Sequence, residues 1–333
     1  MADFTIEILN ENNEPDDLKI FLQSCGNCTI FHRPLFLSYH DQNKFSELKN
    51  FSIFHLIFRD RKNKIKAFLP GAFYEDEDNR KIYKTPFYSS YGGIVFDEEL
   101  QFEDLENITV QFLDCVKSHE ACILSFSQTA DSYCGKIREK NNYLKYILKV
   151  KGFEISNMDL LMIKKSSDDF SNNFHSTIKR QINQAIKNGL EFNTEPGVDQ
   201  LSYELLNKSQ TRLGGKPTHT YEELEKISRL FPGSVITFKT TSGGELIAGI
   251  TAIRCNREVM NTFYIYDDEE KRELKGMQFT YYNVFKYANE NGYKFTDLGP
   301  ATFGLKPHTS LISYKEKYGI FPDLRITYTK SFE

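Results

Sequence analysis

A chain of 333 residues is long enough for two domains of ordinary size, and 40% hydrophobic with 26% charged residues is the balance of a soluble globular protein. A net charge of -4 argues against a protein whose main business is gripping nucleic-acid backbone, and no run of about 18 apolar residues is present to span a bilayer. The start, MADFTIEILNENNEP, is acidic and lacks the apolar stretch of a signal peptide, so the chain is expected in the cytoplasm with its six cysteines reduced. Cys25-Gly-Asn-Cys28 has the CxxC spacing, but no second pair completes a zinc site; plain thiols are expected, with no metal.

Residues 5–9 predict an edge strand, and 16–25 a short helix with Leu18, Phe21 and Leu22 on one face. Residues 33–39 open a second helix. Strands over 51–58 and 65–74 flank the polar turn 59–64, a hairpin signature. Extended structure resumes over 82–88 and runs into Ser89-Ser90-Tyr91-Gly92-Gly93. Adjacent glycines there either let backbone approach a ligand closely or make a tight turn between strands. Leu105, Ile108, Phe112, Cys115 and Val116 recur at helical spacing. Residues 121–126 read as a buried strand, with further strands over 143–150 and 158–163. The first half ends near residue 165.

In the second half, 171–188 reads as a helix with Phe174, Ile178, Ile182, Ala185 and Ile186 on one face and Gly189 as its stop. Helices are expected over 200–213, with Leu201, Leu205 and Leu206 apolar, and over 221–231, stopped by Pro232-Gly233. Residues 235–240 and 246–254 form a hairpin around Thr241-Ser242-Gly243-Gly244. A loop over 308–310 and a strand over 325–328 close the chain.

The most informative stretch is 259–299. Its first eight residues, VMNTFYIY, suit a half-buried strand. A charged turn ends at Gly276, then Met277, Tyr281, Val284, Phe285 and Ala288 mark one helix face, and Asn291-Gly292 stops the helix before a strand over 293–298. This is a βαβ unit. Its turn sits at a helix N-terminus, where backbone N–H groups and the helix dipole favour an anion, with Lys271, Arg272 and Lys275 nearby. Either a phosphate-bearing ligand binds there or the three cations are ordinary surface charges.

The two halves echo each other: Lys64-Ile65-Lys66-Ala67 parallels Glu245-Leu246-Ile247-Ala248, and each half then runs hairpin, strand, glycine turn, helix, buried strand. That order resembles the GNAT-type N-acetyltransferase fold used twice, and more closely the FemABX-type tandem-GNAT family with its acyl-CoA-using relatives. Ser90-Tyr91-Gly92-Gly93 is similar to the family's S-P-Y-G-G segment. Lys179-Arg180-Gln181-Ile182 through Ala185 to Gly189 resembles its [KR]-x-x-I-x-x-A-x-x-x-G helix. Leu246-Ile247-Ala248-Gly249 resembles its second hairpin, Phe295-Thr296-Asp297-Leu298-Gly299 its F-D-F-G strand, and Ser310 with Tyr314-Lys315-Glu316-Lys317-Tyr318-Gly319 its terminal motif. The GNAT phosphate motif, R/Q-x-x-G-x-G/A, keeps only its first glycine in Glu273-Leu274-Lys275-Gly276-Met277-Gln278.

The resemblance implies an α/β (α+β) fold of two tandem GNAT-like domains, 1–165 and 166–333, each a mixed, largely antiparallel sheet flanked by helices. It implies an acyltransferase taking acyl-CoA as co-substrate and an amine acceptor, an amino sugar, amino acid or nucleotide-sugar of cell-envelope synthesis. A homodimer is compatible with it. The alternatives are an aminoacyl-tRNA-dependent peptidyltransferase of peptidoglycan bridge synthesis and a non-catalytic GNAT pair. The coenzyme is expected on Tyr264, Ile265, Lys271, Arg272, Lys275, Gly276, Met277 and Gln278, and the acceptor on Ser90, Tyr91, Gly92, Arg180, Tyr266, His308 and Ser310. Acyl transfer asks for a base, a hydrogen-bond donor for the developing oxyanion, and close positioning. Asp297 is a candidate base or a carboxylate capping the Gly299 turn; Lys315 a partner for phosphate or oxyanion, or a helix-surface cation; His219 a candidate base, or an ordinary loop histidine.

Overall fold

The structure, a computed structural model, describes residues 4–39 and 48–332. The chain divides into two units, Met1–Asp159 with Leu324–Glu333, and Leu160–Asp323.

In the first unit, β1 (Thr5–Leu9) is followed by α1 (Asp16–Ser24) and α2 (Pro34–Leu37). The single strand expected over 51–58 is two, β2 (Lys49–Ile53) and β3 (His55–Arg59), and that over 65–74 is β4 (Ile65–Leu69) and β5 (Ala72–Glu75). The second break falls at Pro70-Gly71. Proline cannot donate to a ladder, and a Cβ at Gly71 would lie 2.1 Å from the Tyr83 hydroxyl. The halves join different sheets. With β7 (Val95–Phe96), which sequence reasoning missed, β1, β3 and β4 form an antiparallel sheet in the order β1-β3-β4-β7. β2 and β5 pair with β6 (Lys81–Thr85), which runs parallel to β8 (Ile123–Ser127) after a crossover through α3 (Phe102–Ser118). Residues 327–331 pair antiparallel with β8. The 143–150 stretch is the correction here. It belongs to α4 (Arg138–Val150), whose Asn141, Leu144, Ile147 and Leu148 are buried, the helical period, while Tyr143, Tyr146 and Val150 are exposed. Aromatic and β-branched composition suggested a strand; packing on α3 decided otherwise.

The second unit builds one mixed sheet. Residues 161–165 of β9 (Glu154–Lys165), then after α5 (Ser176–Lys187) β10 (Glu191–Pro196), then after α6 (Gln200–Arg212) and α7 (Tyr221–Leu230) the hairpin β11 (Val235–Ser242) and β12 (Glu245–Arg254), are followed by β13 (Val259–Asp267), α8 (Gly276–Glu290) and β14 (Phe295–Pro300). The order is β10-β11-β12-β13-β14-β9, with only the β13–β14 pair parallel. Gly243 and Gly244, at φ of 57° and 82°, supply the left-handed pair a two-residue hairpin needs. α8 buries Phe279, Tyr281, Val284, Phe285 and Ala288 against the sheet, close to the face expected. α9 (Thr309–Glu316) begins where a loop was expected; its Tyr314 meets Tyr318, which packs in turn on Tyr281 of α8. Leu201 is 67% exposed and Ile186 53%, so neither joins the face assigned to it. Both units are thus mixed, largely antiparallel sheets flanked by helices.

Two buried histidines tie loops to the first unit. His32 Nδ1 accepts from the Thr29 N–H at 3.1 Å and Nε2 lies 2.7 Å from the Gly92 carbonyl; His55 Nδ1 accepts from the Gly71 N–H at 3.0 Å. Burial lowers their pKa values from 6.5 to about 4 and about 3. A group whose folded pKa is depressed contributes stability present above its unfolded value and lost as pH falls toward the folded one. The two histidines should therefore add no slope to the melting temperature from pH 8 to 7. It should then drop as stability falls by about 1.4 kcal/mol per pH unit for each histidine below roughly 6.5. Thermal melts at pH 7, 6 and 5 measure this; an unchanged melting temperature at pH 5 contradicts it. Cys25 and Cys28 are likewise held as thiols, burial pushing both pKa values up, that of Cys28 to about 12.

Candidate active site

The parallel ladder between β13 and β14 is short. It pairs Val259, Met260 and Asn261 with Phe295, Thr296 and Asp297, then ends. β13 runs on to Asp267, held by β12. β14 bends away, its register on β9 shifting between Asp297 and Pro300. The bend is built from named contacts. Asp297, 1% exposed, accepts from Asn261 Nδ2 at 2.9 Å and from the Gly299 N–H at 2.7 Å, and Gly299 takes a φ of 74°. Lys315, from α9, is not a surface cation. It is buried, and its ammonium donates to the carbonyls of Leu298, Gly299 and Pro300 at 2.5, 3.0 and 3.2 Å. Burial pushes its pKa down to about 8, with Asp297 opposing. Three carbonyls of the bend thus surround the ammonium, and Lys315 ties the end of β14 to α9.

Between 262 and 267 alternate β13 amides therefore point into the opening rather than into a ladder. Ile265 sits over the α8 side, partly buried. Tyr266 fills space left by Gly249, where a Cβ would meet its ring at 2.5 Å. Tyr264 is central to a polar cluster: its hydroxyl lies 2.6 Å from His219 Nδ1 and 2.7 Å from Thr218 Oγ1, and accepts the His219 N–H at 3.0 Å. Burial pushes the pKa values of both tyrosines up to about 12, so they keep their protons.

The turn after β13 opens onto the N-terminus of α8. Lys275 stands at φ 64° as its N-cap, no side chain caps the helix, and its first N–H groups, from Gly276, Met277 and Gln278, have no intrahelical partner by geometry. A Cβ on Gly276 would stand 3.0 Å from Ile247 Cδ1 and 3.2 Å from Ala248 Cβ. The three cations expected here are not equivalent. Arg272 is paired with Asp267 at 2.7 Å and Lys271 with Glu245. Burial would raise the Asp267 pKa, but Arg272 and Arg212 outweigh it and hold the carboxyl below its usual range. Lys275 has no carboxylate partner among the described residues. An anion at this turn would thus meet amides and one lysine rather than three cations.

Asp297, Lys315, Tyr264, Ile265, Tyr266, His219, Lys271, Arg272, Lys275, Gly276, Met277 and Gln278 all belong to β13, β14 or the segments that touch them. The other three acceptor candidates of the same unit lie on α5 and at the start of α9. His308 caps α9, accepting from the Leu311 N–H at 3.2 Å, with Ser310 beside it, and Arg180 is exposed on α5. Ser90, Tyr91 and Gly92 lie in the first unit: the Ser90 carbonyl accepts from Arg325 at 3.3 Å, the Tyr91 ring lies 5.6 Å from the Arg325 guanidinium, and a Cβ at Gly92 would be 2.5 Å from Pro86 N. Among the described residues, no helix is long and apolar enough to cross a membrane, and no cluster of His, Cys, Asp and Glu is placed to hold a metal.

Residues 172–315 match the model of the acetyltransferase (GNAT) domain. No curated protein matches the chain. Among solved structures, FemX is similar over 98% of this chain and 97% of its own, with a TM-score of 0.71 at 13% identity. L-PGS from Bacillus licheniformis is similar over 96% and 92%, TM-score 0.59 and 14% identity. A tandem GNAT protein from the clavulanic acid biosynthesis pathway is similar over 99% and 98%, TM-score 0.50 and 9% identity. Residues 172–315 thus match a GNAT acetyltransferase domain, in a chain whose fold is similar to those of FemX and of the tandem GNAT protein.

Proposed function

We propose that the protein is an N-acyltransferase that moves an acyl group from acyl-CoA to the amine of an amino sugar or amino acid, in cell-envelope or polysaccharide synthesis. The observation that carries this reading is the parting of β13 from β14 beside the uncapped N-terminus of α8. In this reading the α8 amides and Lys275 take the donor's phosphate, Gly276 leaves its backbone open to close approach, and the donor lies along β13. β13 amides between Phe263 and Tyr266 hold the thioester oxygen as charge develops on it. The amine must arrive neutral. With Nδ1 protonated and donating to the Tyr264 hydroxyl, which also accepts the His219 N–H, the basic lone pair of His219 falls on Nε2, suited to take that proton. Asp297 and Lys315 act by holding the opening.

A second reading, an aminoacyl-tRNA donor, is favoured by the segment from Ser310 to Gly319, which resembles the terminal motif of the FemABX type. Turnover separates the two. The chain incubated with acetyl-CoA and a panel of amino sugars and amino acids is expected to release free coenzyme A thiol only when an amine is present, and His219→Gln to lower kcat at least tenfold without lowering the melting temperature. No thiol release with any acyl-CoA, together with acyl transfer from aminoacyl-tRNA, replaces the first reading by the second.

A further inference from the structure

Helix α4 carries apolar side chains on two faces. One face is ordinary: Leu144, Ile147 and Leu148 are buried in the core of the first unit. The other looks into solvent. Tyr143, Tyr146 and Val150 are 44%, 62% and 59% exposed. They follow one another at spacings of three and four residues, which sets them in one stripe along an α-helix. Phe102, at the start of α3, extends the stripe sideways. Its ring centroid lies 5.6 Å from that of Tyr143, edge to face, and 6.1 Å from that of Tyr146. Phe102 is itself only partly buried. A surface helix ordinarily turns polar residues outward. Gathered aromatic residues, Tyr among the foremost, are what protein–protein interfaces collect.

The charges bordering the stripe select its occupant. Glu139 stands four residues before Tyr143, and Lys149 three residues after Tyr146, so each flanks the stripe at one end. Both are exposed, and among the described residues neither has an ion pair or a side-chain hydrogen bond. The neighbouring lysines are committed: Lys145 to Asp131 at 2.7 Å, Lys151 to Glu106 at 2.7 Å, and Lys140 to the Leu100 carbonyl at 2.9 Å. Turned end for end about the midpoint between Tyr143 and Tyr146, the helix puts each tyrosine where the other stood. Lys149 then falls within one residue, about 1.5 Å along the axis, of the place of Glu139. A second α4 laid antiparallel on the first thus sets Tyr143 against Tyr146 twice and Glu139 against Lys149 twice. The antiparallel helix dipoles add to the attraction. Another copy of the chain carries this complementary pattern of necessity, and such a two-fold contact closes at two chains.

We propose that the chain pairs with a second copy of itself through α4, antiparallel about a two-fold axis between Tyr143 and Tyr146. Tyrosine and valine supply the apolar centre, and the Glu139–Lys149 pairs at its two ends fix the direction and the register. All of these residues belong to the first unit, and the pairing does not depend on the acyl-transfer reading.

Sedimentation equilibrium of the full chain tests it, at concentrations up to about 100 µM, where interfaces at the small end of the size range associate. The mass is expected to rise with concentration toward that of two chains. Tyr146→Glu places a carboxylate beside the axis and should weaken the dimer at least about tenfold, with the circular dichroism of the parent. Glu139→Lys and Lys149→Glu each set like charges opposite one another and should weaken it about fivefold at low salt. The double variant restores opposite charges and should return to within about twofold of the parent. It separates this contact from any other, because a merely structural effect of the two substitutions would add rather than cancel. A monomer at every concentration, a dimer that Tyr146→Glu and Glu139→Lys leave intact, or a double variant as weak as the single ones overturns the proposal.

Discussion

Lys315→Met should lower the melting temperature by about 6–12 °C and acyl transfer at least about 100-fold. Methionine keeps much of the apolar stem but leaves the carbonyls of Leu298, Gly299 and Pro300 without their donor. Unsatisfied buried acceptors cost about 1–3 kcal/mol each, partly relieved by relaxation, so a total of about 3 kcal/mol is expected. In a domain of this size each kcal/mol shifts the melting temperature by about 2–4 °C. The loss of activity has a separate cause. Released, the end of β14 is free to move back toward β13 and close the opening, and misplacing reacting groups by about 1 Å costs on the order of 100-fold. Lys164→Met is the control. Lys164, on β9 opposite Thr296, is also buried and donates to the carbonyls of Tyr318 and Gly319 at 2.8 and 3.3 Å rather than to those of the bend. It should cost stability while leaving kcat within about threefold at a temperature where the variant is folded. Equal kcat losses in the two variants would remove the special role of the bend.

The second large effect is on donor binding. Gly276→Val should weaken acetyl-CoA at least about 30-fold. The added methyl groups start from a Cβ already 3.0 Å from Ile247 and crowd the helix start where the phosphate would approach. Lys271→Ala and Arg272→Ala should each weaken it less than about threefold, because Glu245 and Asp267 already compensate those charges. Lys275→Ala should fall between. Titration calorimetry with acetyl-CoA gives the order, with circular dichroism confirming that Gly276→Val is folded. A loss in Lys271→Ala or Arg272→Ala as large as in Gly276→Val would mean that side-chain charge, not backbone approach, recognises the donor.

The sequence made the βαβ unit of 259–299 legible because its signals agree: strand-forming residues, a glycine at the turn, five apolar residues at helical spacing, and Asn291-Gly292 at the end. The 235–254 hairpin was legible for the same reason, with its glycine pair. What stayed hidden depends on partners distant in sequence. Lys271 and Arg272 read either as part of an anion site or as ordinary surface charges until Glu245, Asp267 and Arg212 are seen beside them. Lys315 read either as a partner for phosphate or oxyanion or as a surface cation, because nothing local says that its helix folds over the end of β14. His219 and Tyr264 were each singled out, but their contact joins a loop to a strand 45 positions later. His308 and Ser310 read as loop residues near a strand end, and the helix they start puts the histidine to work as a cap.

Hydrogen exchange of the backbone amides with and without saturating acetyl-CoA tests the central claim most directly. Protection should rise at residues 262–267 of β13 and 276–279 of α8, with the core of β11 and β12 unchanged. Binding that leaves both stretches unprotected, or no binding by any acyl-CoA, would contradict a donor site between the parted strands.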